Sequence, residues 1–98
     1  MANEVKQWSH GTVIDYECAR ETIGDWMGIL TAQIYEERKK PVPDENLIVR
    51  LRQERMNLSD DRRTLRVSDH ANVERINKKY GSKVRAWRAG MLIKKSDQ

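Results

Sequence analysis

The chain has 98 residues, 35% of them charged and 38% hydrophobic, with no Phe at all. That length supports one domain, and so thin an apolar content leaves a small core of the kind that a partner chain commonly supplements. Its single cysteine, Cys18, excludes an intramolecular disulfide and a thiolate zinc cluster.

The opening MANEVKQW lacks the basic-then-apolar pattern of a signal peptide. No apolar run approaches the ~20 residues of a membrane span. A cytoplasmic protein is therefore expected, and a membrane partner is not. The net charge of +4 is unevenly spread: residues 1–46 carry a net −4 and residues 47–98 a net +8. Either the halves neutralise one another, or the basic half meets a polyanion.

In chain order, Thr12 and Asp15 have the spacing of a capping box. Apolar residues then recur at Tyr16, Ala19, Ile23, Trp26, Leu30 and Ile34, with Met27 beside them, as one face of a helix. Arg38, Lys39 and Lys40 suit the end of a helix dipole, and Pro41 stops the helix. Helix 1 is thus expected over residues 12–39. PVPD is a short connection, and Asp44 is a good N-cap for a second helix. Leu51, Leu58 and Leu65 stand in heptad spacing along it, with Leu47 and Ile48 ahead of them. The segment LSDDRR either starts a new helix at Ser59 or continues this one, and the leucine heptad favours continuity.

Ser68 is the expected cap of a helix over 69–80 that carries Val73, Ile76 and Tyr80, with Gly81 as its terminating glycine. Ser82 would then cap a short fourth helix bearing Val84, Trp87 and Met91. The expected architecture is one all-α domain over 1–98. It comprises a long antiparallel helical hairpin, 12–66, followed by a basic C-terminal segment, 68–92, of one or two short helices.

Two candidate binding surfaces emerge. On a wheel centred on Ile23, Gly24 and Gly28 fall about 100° and 140° away, off the apolar face and beside Glu17, Glu21 and Asp25. Glycine inside a helix costs about 1 kcal/mol relative to alanine. Two of them four residues apart raise the expectation of an acidic, glycine-lined groove for a basic helix, from this chain or another. The alternative is a helix weakened at Gly24 with an exposed acidic face. On helix 2, Val49, Met56 and Val67 lie roughly 140–160° from Leu51 and make a second apolar row. A homodimer or other protein complex is the expectation from that row. Arg55 and Arg62 fall among the leucines, where their stems are expected to cover the core with the charged heads at its edge; the alternative is that they bind something external.

The second surface is the basic C-terminal segment. Arg75, Lys78, Lys79, Lys83, Arg85 and Arg88, with Lys94 and Lys95, face Glu74 alone. Tyr80 and Trp87 are interleaved, the pattern of a phosphate-backbone binder with rings that can stack.

Enzyme chemistry is not expected. Cys18, His10 and His70 are single residues and form no constellation at catalytic or ligand spacing along the chain. GSK at 81–83 lacks the glycine-rich loop of a phosphate cradle. No metal or cofactor is implied. The expected function is a small non-enzymatic regulatory or adaptor module that binds another protein, the alternative being a nucleic-acid-binding regulator.

Overall fold

The structure is a computed structural model that describes the backbone from His10 to Ser96 and the side chains from His10 to Gly90. Among the described residues there are three helices and no strand: α1 (His10–Arg38), α2 (Glu45–Thr64) and α3 (His70–Ser96).

α1 begins at His10, so Thr12 and Asp15 sit inside its first turns and do not form the expected cap. Its periodic face is buried as the spacing predicts, with Ala19, Ile23, Leu30 and Ile34 in the core and Tyr16, Trp26 and Met27 packed against it. The helix closes at Arg38, one residue before the expected end, and Lys39 N and Lys40 N bond back to Glu36 O and Glu37 O. Those i→i+3 bonds use up carbonyls that the helix end would otherwise leave unpaired.

Glu37 then clasps the connection. Its buried carboxylate accepts from Asp44 N at 2.9 Å and from Lys40 Nζ at 2.9 Å. Both contacts hold the Glu37 carboxyl below the usual range, the Asp44 N–H foremost. Asp44 caps α2 as its sequence position predicts: its backbone is extended and its Oδ1 accepts from Leu47 N at 3.1 Å.

α2 runs without interruption through Ser59, Asp60 and Asp61. Burial of Leu58 and Leu65 on the core explains the continuity, because the two aspartates stay at the surface or its edge while the leucine row packs. The helix ends at Thr64, short of the expected 66, and Leu65 follows in extended conformation.

The expected division of the C-terminal segment into two short helices is not what the chain adopts. α3 is one helix of 27 residues, and no glycine among the described residues takes a positive φ. Gly81 is therefore an ordinary helical residue. The physical reason is packing: Val73, Ile76, Tyr80 and Val84 are all buried, at steps that continue one face straight across the glycine. Burying Tyr80 and Val84 outweighs the ~1 kcal/mol that one glycine costs. Ser82 does not cap anything, since its hydroxyl donates to Lys79 O at 3.0 Å within the helix. At the start of α3 the cap is Asp69 in place of Ser68, its Oδ1 accepting from Asn72 N at 3.1 Å.

α1 packs against both other helices, whereas the backbones of α2 and α3 do not approach within 8 Å of each other between Cα atoms. Asp15 meets Asn77 and Asp25 meets Arg88, so α1 and α3 run in the same direction. Trp26 meets Glu54 and Glu37 meets Asp44, so α2 returns against α1. The radius of gyration is 17.0 Å, against about 13 Å for a compact chain of this length. The result is an extended slab with α1 as its spine.

Candidate functional site

Where α2 and α3 face each other across α1, polar side chains bridge the gap. Glu54 Oε2 accepts from Trp26 Nε1 at 2.7 Å and from Lys83 Nζ at 3.1 Å. Burial raises the Glu54 carboxyl, but the two donors outweigh it and leave the group below its ordinary value. The Lys83 ammonium also lies over the Trp26 and Tyr80 rings, 5.8 Å from each centroid. Further along the same seam, Tyr80 Oη donates to Asp61 Oδ2 at 3.0 Å, and Arg75 pairs with Asp61 at 3.4 Å. Burial and the Asp61 carboxylate together push the Tyr80 phenol up to about 12. These contacts tie the three helices together.

This ladder bears directly on the basic segment. Arg75 is on Asp61, Lys83 on Glu54, Arg88 on Asp25 at 3.1 Å, and Lys78 on Glu74 at 3.6 Å. Lys79 lies over the Tyr80 ring at 5.2 Å. Trp87 is half-buried and lines an apolar cleft of about 450 Å³ with Leu47, Leu51 and Ala32. Of the residues expected to meet a polyanion, Arg85 is exposed and has no carboxylate partner among the described residues. Of the six cations described in this segment, four are set against the chain's own carboxylates, while the side chains of Met91, Lys94 and Lys95 lie outside those described. Those pairs are exposed or part-exposed and individually weak, yet an incoming phosphate has to displace them.

The acidic flank of α1 is open. Glu17, Glu21, Gly24, Asp25 and Gly28 are all exposed. A Cβ placed on Gly24 or Gly28 would meet nothing within 4 Å. Among the described residues, the chain's own basic half reaches this flank through Arg88 on Asp25. Among the described residues, the two glycines leave a bare strip on the helix surface.

On α2, Val49 and Met56 project outward, each 62% exposed, while Leu58 on the opposite side is fully buried. Val67, grouped with them by periodicity, lies beyond the end of α2 and is half-buried beside Val73. Arg55 does lie along the helix seam, donating to Thr31 Oγ1 at 3.1 Å.

Helical periodicity did not single out a further cluster. Where the start of α1 meets the end of α2, Arg20, Arg62, Arg63 and Arg66 converge on a cleft of about 420 Å³, with Ser59 and Tyr16 at its sides. Arg62 is exposed here, so its charged head faces solvent. The antiparallel pairing of helices 1 and 2 was the available signal. It places residues near position 20 opposite those near 62, but only the register in space sets four arginines around one cleft.

Among the described residues, no group of His, Cys, Asp and Glu is arranged to hold a metal ion. No described helix is long and apolar enough to cross a membrane. No protein-family model, curated protein or solved structure matches the chain.

Proposed function

We propose that this protein is a non-enzymatic regulatory or adaptor module that works by protein–protein binding, with a second copy of the chain as the first candidate partner. The reading rests above all on Val49 and Met56, which stand 62% exposed on the side of α2 turned away from the core. They lie seven residues apart, two helical turns, so they form one apolar strip that a second helix can cover. The exposed acidic flank of α1, with Glu17, Glu21 and the bare positions Gly24 and Gly28, offers a basic partner both charge and close approach. The alternative reading, nucleic-acid binding through the basic segment of α3, draws on residues of which Arg75, Lys78, Lys83 and Arg88 already hold carboxylates.

Sedimentation equilibrium over a wide concentration range tests the proposal. The expected result is a mass that rises with concentration, and a return to monomer mass in Val49→Asp/Met56→Asp with unchanged helical content by circular dichroism. A wild-type mass that stays monomeric, or a double variant that still associates, overturns it.

A further inference from the structure

We infer that the arginine cleft between α1 and α2 is a phosphate-recognition site for the backbone of single-stranded nucleic acid. It stands apart from the outer strip of α2 on which the protein-binding reading rests.

The cleft draws side chains from three segments: Arg20 from α1, Arg62 and Arg63 from α2, and Arg66 from the connection to α3. Among the described residues, no carboxylate lines it. By contrast, the cleft near the start of α3 includes Asp15 and Glu74 among its walls, and the apolar one beside Trp87 includes Glu36 and Glu37. Two of the four arginines serve the fold. Arg63 pairs with Asp60 at 3.0 Å, and Arg66 Nη1 donates to Arg63 O and Leu65 O, satisfying the end of α2. Arg20 and Arg62 do not, since neither makes a hydrogen bond or ion pair among the described residues. Asp60 answers the charge of Arg63; gathering the other like charges beside it is unfavourable, and an anion seated among them relieves the repulsion.

Guanidinium groups bind phosphate oxygens in a planar, bidentate manner that lysine cannot reproduce. Arg20, Arg62 and Arg66 hold no carboxylate among the described residues and come from three separate segments, an arrangement that suits successive phosphodiesters along a strand better than one compact phosphate monoester. Tyr16, half-buried at the rim, offers a ring against which a base or sugar can rest. The strand is single because Glu17 and Glu21 are exposed nearby on α1. A rigid duplex laid along α1 would meet their charge, whereas a flexible strand turns away from it.

Fluorescence anisotropy with a labelled oligothymidylate tests the site, using the full chain. With Arg63 already paired, three arginines neutralise phosphates, and log K against log salt should fall with a slope of about −2. Arg20→Gln/Arg62→Gln should weaken binding at least tenfold at low salt and reduce the slope to about −0.7. Because these two side chains make no internal bonds, circular dichroism melts of the variant should match wild type. Lys78→Gln/Arg85→Gln on α3 should leave affinity within twofold. Failure of wild type to bind the oligonucleotide at low salt overturns the inference. So does unchanged affinity in the Arg20/Arg62 variant, or tighter binding of a phosphoserine peptide than of the oligonucleotide. Association of the chain with itself is read separately by sedimentation without nucleic acid, so this site and the α2 strip can fail independently.

Discussion

The indole nitrogen of Trp26 donates to Glu54 at 2.7 Å, joining the spine helix to α2 through the same carboxylate oxygen that holds Lys83 of α3. A charge-assisted bond to a part-buried carboxylate contributes about 1.5–3 kcal/mol where it is well shielded, and less here because Glu54 keeps some exposure. Glu54→Gln is expected to destabilise the fold by about 1–2 kcal/mol, since the amide oxygen can still accept but the charge is lost. A double-mutant cycle with Trp26→Phe should return a coupling of about 1 kcal/mol. Additive effects in chemical denaturation would show that the pair does not act as a unit.

Two opposite pH limbs are expected in the melting temperature. Glu37 and Glu54 have folded-state values below their ordinary ones. Their contribution is therefore complete above the unfolded carboxylate range and is lost as pH falls through the folded values. Tyr80 is the reverse case: its phenol is raised from 10.0 to about 12. Its contribution is complete below pH 10.0 and disappears as pH climbs toward about 12. Thermal melts across pH should show both declines. Glu54→Gln should flatten the acid limb and Tyr80→Phe the alkaline one, each leaving the other intact.

Gly24 and Gly28 sit in α1 with open space where a side chain would be. Alanine at either position is expected to stabilise by about 0.5–1 kcal/mol, through helix propensity and a less flexible unfolded chain. On a domain of this size that is a rise of several degrees in melting temperature. If alanine lowers it, a contact that the isolated chain does not display occupies this strip.

Gly81 distinguishes a continuous α3 from two short helices. A terminating glycine in left-handed conformation would make alanine destabilising by more than about 1 kcal/mol, whereas in a continuous helix alanine is tolerated. The added Cβ would lie 3.2 Å from Arg85 Nη1, the far end of a flexible side chain that can move aside. Gly81→Ala is therefore expected to leave stability unchanged or raise it by up to about 1 kcal/mol. Guanidinium denaturation of the single variant reads the sign.

The sequence by itself determined that the chain is helical, where the α1–α2 connection falls, that Asp44 caps α2, and which face of each helix is apolar. These are properties of periods and of local capping chemistry, and they act within one or two turns. Gly81 shows where that reach ends. Its local signal is a stop, but Tyr80 and Val84 are buried on either side of it, and burial outweighs the backbone preference. The charges show the same limit. Lys83 and Arg88 look like a free basic surface along the chain, and only the packing of α3 along α1 sets them against Glu54 and Asp25. Arg20 and Arg62 stand 42 positions apart in sequence. Bringing them into one cleft took the register of α2 against α1, which is decided by how Leu58 and Leu65 pack around Ala19 and Ile23 and is written in no single segment.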